Sequence, residues 1–421
     1  MLKPLSAALL ILVAGSSVCA QEDSGRIDPD SPYDNAQVLA RAMQLIRQDY
    51  VDDKKITYRD LTYSALRGML SSLDPHSLFL EPSDFKDMQE DTRSEFGGLG
   101  VVVTMEDGVL TVVNPMEDTP GAEAGLKPGD RILRINGHST ENLTISQAID
   151  KLRGEVGEKV TLTIQRPSTK EIKDYTLTRV TIKVRSVKDA QILPDESGRK
   201  IGYVRITQFN EPTAGELAKE LDKLEKEGME ALILDLRYNP GGLLSSAVDV
   251  CGLFVPHGTK VVSTEGRTPG REYRTTARFK TRTYPLVILT NFASASGSEV
   301  VAGALKDLHR AVIVGETTFG KGSVQSVISL PDGSALRLTT QKYYTPSKQV
   351  IHEVGVTPNV RATLSQQQEY ALLESRRSHQ ARKLSVENDP QLGRAIDILR
   401  GTLIYTERRQ PPKAKPAGRR S

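Results

Sequence analysis

Two short runs in the second half of the chain carry residue types that do covalent chemistry. Ala293-Ser-Ala-Ser-Gly-Ser-Glu299 sets serines among small residues just before an apolar helical pattern, a common way to expose a hydroxyl. Gly320-Lys-Gly-Ser-Val-Gln325 follows, with a lysine held between two glycines. A serine hydroxyl is a weak nucleophile until a neighbouring base takes its proton. The pairing points to a Ser/Lys hydrolase with Ser296 as nucleophile and Lys321 as general base. Lys321 must be neutral for that role. An unperturbed lysine titrates near ~10.4, so burial or nearby dipoles have to lower its pKa. Gln325, four residues on, can hold the amine through its side-chain amide. Ser294, Ser298 and Ser323 are rival serines. Ser298 directly precedes Glu299-Val-Val-Ala-Gly-Ala-Leu305 and reads as the helix N-cap. Ser296 would then project from the preceding turn, with Gly297 free to adopt an unusual backbone angle.

An acyl-transfer site also needs donors for the oxyanion. Ala231-Leu-Ile-Leu-Asp-Leu236 is a continuous apolar strand running into Arg237-Tyr-Asn-Pro-Gly-Gly242. A Pro-Gly-Gly turn there presents bare N–H groups, with Gly242 favoured over Gly241 as one donor and Gly297 as the other. These loops need elements to carry them. Ile201–Ile206, Val287–Thr290 and Val312–Gly315 read as further strands, with helical patterns at Glu216–Glu227 and Ser298–Leu308. Strands alternating with helices imply a sheet covered on both faces. Val324–Leu330 and Ala335–Tyr343, joined by Pro331-Asp-Gly333, read as a hairpin attached to it.

With 421 residues, 38% hydrophobic and 26% charged, the chain has room for two to three domains and a real core. A net charge of +3 gives no global argument for nucleic acid. The basic excess gathers in Arg408, Arg409, Lys413, Lys415, Arg419 and Arg420, among prolines, and reads as a solvated tail. Lys3, the apolar run Leu5–Val13 and Val18-Cys-Ala20 have the form of a secretory signal, too short to span a bilayer as a stable helix. The expected location is periplasmic, with membrane contact at most peripheral. Cleavage after Ala20 would leave Cys251 alone, and its apolar surroundings place it in the core. Helical patterns at 34–92 cannot bury much by themselves and are expected to self-associate or to pack on the main body; 389–404 is a second candidate for self-association.

From Gly97 the pattern changes to short strands and glycine turns. Gly97-Gly-Leu-Gly-Val101 and Gly121-Ala-Glu-Ala-Gly-Leu-Lys-Pro-Gly-Asp-Arg-Ile-Leu-Arg-Ile-Asn-Gly137 resemble a PDZ domain over roughly 97–182. The resemblance places a substrate carboxylate at Gly98, Leu99 and Gly100, where glycines let backbone N–H groups converge. The following strand edge would accept an extended peptide.

Leu73-Asp-Pro-His-Ser-Leu-Phe-Leu80, Asp235–Gly242, Ser294–Leu305, Gly315–Gln325, Asp332–Thr340, Tyr343-Tyr-Thr-Pro346 and Gly355-Val-Thr-Pro358 occur in the order seen in the C-terminal (tail-specific) processing peptidases, and the chain resembles that family over about 38–360. The resemblance implies a ClpP/crotonase-like α/β core with an inserted PDZ domain (α+β) and an N-terminal helical segment. It also implies a dyad of Ser296 and Lys321 assisted by Gln325, with no cofactor and no metal. Phe292-Ala293 departs from the family, where an acidic residue and glycine more often precede the serine run; Gly297 is often alanine in relatives.

The expected division is 1–20 signal peptide, 21–95 helical segment, 96–183 PDZ domain, 184–372 protease core, and 373–421 C-terminal helical segment and basic tail. The reading is an exported serine endopeptidase acting on protein substrates through their C-termini. It is expected to be a homo-oligomer, with room for an activating adaptor protein. The PDZ domain is expected to gate the core as well, hinged near Glu95-Phe-Gly97 and Val184-Arg185. An inactive core serving as a C-terminus-binding adaptor is the alternative. Gly315–Lys321 nearly spells a phosphate-binding loop, but Gly322 stands where that motif needs Ser or Thr. The six histidines form no metal pair, a triad using His309 or His352 is a minor rival, and His76 reads as structural.

Overall fold

The computed structural model describes residues 28–52, 56–193, 198–377 and 388–409. The expected signal peptide at 1–20 and the tail from 410 onward lie outside the described residues. The chain divides into two bodies, one ending at Ser72 and one beginning at Leu73.

In the first body, Pro32–Asp49 is a helix capped by Ser31, whose hydroxyl accepts from Asp34 N. Tyr58–Ser71 is a second helix, opened by a reciprocal Thr57–Asp60 capping box. Arg47 stacks 4.5 Å over the Tyr58 ring. The first helix buries none of its residues, and Val38, Leu39, Leu45 and Ile46 are exposed.

In the second body, the central sheet runs in the order Val187–Leu193, Ile201–Ile206, Ala231–Asp235, Leu286–Thr290, Val312–Gly315, Val360–Arg361. All its pairings are parallel except that of the first edge strand. Alternation along each strand splits the apolar side chains between two cores. Leu232, Leu234, Ile288 and Ile313 join a core with helices Thr213–Lys226, Leu244–Gly252 and Gly297–Asp307. Ala231, Ile233, Val287, Leu289 and Val314 face the opposite way, onto Leu392, Ala395, Ile396, Leu399 and Leu403 of helix Pro390–Arg409. The apolar face of that helix is therefore occupied by its own sheet, which corrects the expectation that 389–404 serves self-association. Cys251 is fully buried in the first of these cores.

A second sheet carries the predicted hairpin. Ala335–Tyr344 pairs with Ser323–Ser329, with Lys260–Gly266, and with a short strand, Leu78–Leu80, that sequence patterning missed.

Residues 101–178 form an antiparallel sheet with Val101–Glu106 at one edge and helix Ile145–Leu152 beside it. Asn136 and Gly137, both at positive φ, make the expected hairpin turn to His138–Ser139. Glu95–Gly98 and Val180–Lys183 pair as a ribbon leading to the core. At its foot Ser94 O accepts from Val184 N, and Ser94 Oγ accepts from Asn210 Nδ2 at 2.5 Å.

Candidate active site

Parallel neighbours send their carboxyl ends to the same sheet edge, so three loops meet there. Strand Ala231–Asp235 delivers 236–242, Leu286–Thr290 delivers 291–297, and Val312–Gly315 delivers 316–322. Side-chain hydrogen bonds stitch the first two together. Ser294 Oγ donates to Leu236 O at 2.9 Å, and Ser298 Oγ donates to Asn239 O at 3.0 Å. Asn239 in turn donates to Ile206 O and accepts from Gly241 N at 2.9 Å. Ser294 and Ser298 are thus fully buried fasteners between loops.

Ser296 itself occupies the N-cap position of helix Gly297–Asp307, with φ 50° and ψ −111°. This differs from the sequence expectation in two ways. Ser298 is inside the helix, and the left-handed backbone belongs to Ser296 while Gly297 is absent from the positive-φ positions. Non-glycine residues rarely adopt such angles, and they persist where surrounding structure over-determines them. Here Gly241 fits against the turn because it lacks a side chain: a Cβ there would lie 2.7 Å from Ser296 Cβ and 2.8 Å from Gly297 N.

Glu299 ties the serine loop to the lysine loop. It is fully buried and accepts four hydrogen bonds. Its Oε1 receives Thr318 Oγ1 at 2.5 Å and Gly320 N at 2.7 Å. Its Oε2 receives Ser296 N and Lys321 N, both at 2.8 Å. One carboxylate oxygen therefore holds the backbone of both Ser296 and Lys321. Burial raises the pKa of Glu299, and the four donors oppose that. Sequence reasoning missed this role. The available signal was the Ser-x-x-Glu spacing of 296–299, which also marks an ordinary capping box.

Lys321 is half-buried. Burial, and next the Arg337 guanidinium, lower its pKa, while Glu299 pulls it up. Its flanking glycines let residues 351–353 press against the loop: Glu353 N donates to Gly320 O, and a Cβ on Gly322 would lie 2.2 Å from His352 N. Among the described residues no hydrogen bond joins Lys321 Nζ to Ser296 or to Gln325. Gln325 Nε2 instead donates to Ser323 Oγ at 2.9 Å and to Thr339 Oγ1 at 3.5 Å. Ser323, the remaining rival serine, is thereby an anchor for the glutamine. His76 lies near enough to the lysine for its charge to count: burial, then Lys321, lower the His76 pKa.

The oxyanion candidates separate cleanly. Gly241 N is committed to Asn239 Oδ1. Gly242 N and Gly297 N have no hydrogen-bond partner among the described residues. Beneath this loop, burial disfavours the Asp235 carboxylate, but Arg237 and Arg376 outweigh it and lower its pKa. Arg237 also reaches Asp389 and Gln391, and Tyr238 donates to Glu369 at 2.6 Å. The C-terminal helices are thus fastened to the segment that turns into Gly242. Phe292, the family departure, is exposed and packs edge-on against Tyr238 with ring centres 6.0 Å apart.

Beside the residue 101–178 module, Gly98, Leu99 and Gly100 line a groove of about 200 Å³. Val101, Val103, Ile149 and Leu152 contribute apolar lining, and Arg153, stacked 4.2 Å over Phe96, lines it too. Leu99 N and Gly100 N have no hydrogen-bond partner among the described residues. Gly100 sits at φ 67°, and a Cβ there would lie 2.3 Å from Thr119.

Comparisons with known proteins agree with this architecture. The model of peptidase family S41 matches residues 200–362, and that of the PDZ domain matches 111–166. A carboxy-terminal-processing protease of Bartonella bacilliformis is 39% identical over 365 residues, covering 85% of this chain and 80% of that protein. Carboxy-terminal processing protease CtpA of Bacillus subtilis is 35% identical over 363 residues, covering 85% and 74%. A solved Bacteroides fragilis protein assigned to the S41 proteases, 18% identical, superposes with a TM-score of 0.50 over 86% of this chain and 97% of its own, a likeness of fold.

Proposed function

This chain belongs to the carboxy-terminal processing proteases of peptidase family S41, serine-type peptidases with a PDZ domain, and we propose that it cleaves by a Ser296/Lys321 acyl-enzyme mechanism after export. The observation that carries the mechanism is the shared Glu299 oxygen, which sets Ser296 on a strained turn beside a lysine with a lowered pKa.

The substrate's terminal carboxylate docks on Leu99 N and Gly100 N, and its last residues add to the Val101–Glu106 edge. An upstream peptide bond reaches the core. Neutral Lys321 accepts the Ser296 Oγ proton as Oγ bonds to the scissile carbonyl carbon. Gly242 N and Gly297 N receive the negative charge on the carbonyl oxygen. The protonated Lys321 then gives its proton to the leaving amine as the peptide bond breaks. Water, deprotonated by the same lysine, releases the acyl group and restores Ser296. Gln325 steadies the amine once the lysine approaches it. Residues 1–20 act as an export signal to the periplasm, the helices at 32–71 contribute to self-association, and an activating adaptor protein is a further partner.

The test is digestion of an unfolded protein by wild type, Ser296→Ala and Lys321→Ala, read by intact mass. Cutting by wild type alone is expected. Cutting that survives Ser296→Ala and disappears in Ser323→Ala would overturn the assignment. In parallel, Gly100→Val should weaken binding of a peptide with a free C-terminus to the level of its amidated form. Equal binding of both forms by wild type would remove the carboxylate from the recognition step.

A further inference from the structure

We propose that Asp74 and Thr339 are positioning residues that fix which way the Gln325 amide faces, so that its oxygen is presented to Lys321; this rests on the Ser/Lys reading above. An amide side chain offers an acceptor at one end and donors at the other, and only the oxygen can receive a proton from the lysine amine. A glutamine free to flip would present the wrong end to Lys321 in half of its arrangements.

The backbone brings the parts together. The register shift between Val324 and Gln325 sets Gln325 opposite Thr339 in the hairpin. Such a bulge re-aims a side chain. Leu78–Leu80 pairs with residues 335–337 on the other edge of the long strand. That pairing carries the preceding turn, Asp74-Pro-His-Ser77, up against Thr339.

The hydrogen bonds then have only one polarity. Asp74 Oδ1 receives His76 N at 2.8 Å, Ser77 N at 3.0 Å and Thr339 Oγ1 at 3.1 Å, while Oδ2 receives Ser77 Oγ at 2.7 Å. Burial would raise the pKa of Asp74, but these bonds prevail and lower it. An ionised carboxylate only accepts, so the Thr339 proton must point at Asp74. Thr339 Oγ1 is then left to accept, and it faces Gln325 Nε2 at 3.5 Å. Ser323 Oγ, at 2.9 Å from the same nitrogen, could either donate or accept, so it cannot choose the flip alone. Asp74 makes the choice through Thr339. Gln325 Oε1 has no hydrogen-bond partner among the described residues and is left to meet the lysine.

The experiment uses the full chain and unfolded-protein cleavage, with wild type, Asp74→Asn, Thr339→Val, Thr339→Ser and Gln325→Ala, plus Asp74→Asn and Thr339→Val each combined with Gln325→Ala. Asp74→Asn and Thr339→Val should lower kcat about three- to tenfold, the rate equivalent of one misplaced hydrogen bond, with KM unchanged. Thr339→Ser, which keeps the hydroxyl, should restore the rate. Neither substitution should cost anything further once Gln325 is alanine. Thermal melting identifies any variant that fails to fold, and Thr339→Val, which keeps the side chain's shape, tests the idea if Asp74→Asn does fail. Full activity in folded Thr339→Val, or losses that multiply with that of Gln325→Ala, would overturn the proposal. Ser296→Ala and Lys321→Ala, run alongside, show separately whether the Ser/Lys mechanism stands.

Discussion

Glu299 is the residue where stability and catalysis can be pulled apart by a one-atom change. Replacing it with alanine strands four donors: Thr318 Oγ1 and the N–H groups of Ser296, Gly320 and Lys321. At ~1 kcal/mol per lost bond the cost is about 4 kcal/mol, offset in part because a buried carboxylate no longer has to be desolvated. The rate should fall further than stability suggests, because the backbones of Ser296 and Lys321, the proposed dyad, lose their common anchor; a misplacement near 1 Å costs about 10²-fold. Glu299→Gln is subtler. If the new NH2 replaces Oε2, it opposes the N–H groups of Ser296 and Lys321. If it replaces Oε1, the Thr318 hydroxyl, which already accepts from Val356 N, has to accept from the amide as well and turn its proton away, and Gly320 N is orphaned. The second arrangement should win, keeping the dyad lash at a cost of about 1–3 kcal/mol. It also removes a negative charge that raises the Lys321 pKa. With that charge gone, Lys321 loses its proton at lower pH, and the proposed mechanism requires the neutral amine. The acidic limb of the kcat/KM profile should therefore move to lower pH in Glu299→Gln, while Glu299→Ala loses most activity at every pH. The assay is kcat/KM for peptide cleavage across pH, beside thermal melting. A limb that moves up in Glu299→Gln, or a wild-type rate in Glu299→Ala, would refute the reasoning.

Two further outcomes follow from charges around the site. Arg337→Gln removes a cation that lowers the Lys321 pKa, so the acidic limb should shift to higher pH; an unmoved limb in a folded variant would exclude Arg337 from tuning the base. Arg237→Met leaves Asp235 with Arg376 alone among its cationic hydrogen-bond partners, and Asp389 without its Arg237 contacts. Breaking a buried pair from one side costs about 3–5 kcal/mol, measurable as a lower denaturation midpoint, and a midpoint within error of wild type would refute it.

The fold was legible where one physical signal dominated. Ala231-Leu-Ile-Leu is apolar without interruption because the sheet buries both faces, and Asn136-Gly137 announces its turn because few residue pairs tolerate two positive φ angles. Leu78–Leu80 carried no such signal. Three residues are too few to show alternation, and that strand exists through pairing with Ala335–Arg337, more than 250 positions away. The helix at 390–409 showed its apolar face plainly, yet periodicity does not say what covers a face. Its own sheet covers it here.

The site divides along the same line. Ser296, Lys321, Gln325 and Gly242 were marked by residue type and glycine context, which are local properties. The Ser296 backbone angle was assigned to Gly297 because glycine adopts positive φ without penalty. The fold places the strain one residue earlier, where Glu299 accepts from Ser296 N and Gly241 leaves room beside it. What holds these candidate residues is long-range: a glutamate that looks like a helix cap, an asparagine that looks like a turn, and an aspartate in a turn remote from all the others. Each has a sufficient local explanation, so a sequence offers no reason to seek another. Their second role exists only once parallel strands bring 239, 299 and 321 to one edge, and once the short strand at 78–80 carries Asp74 alongside.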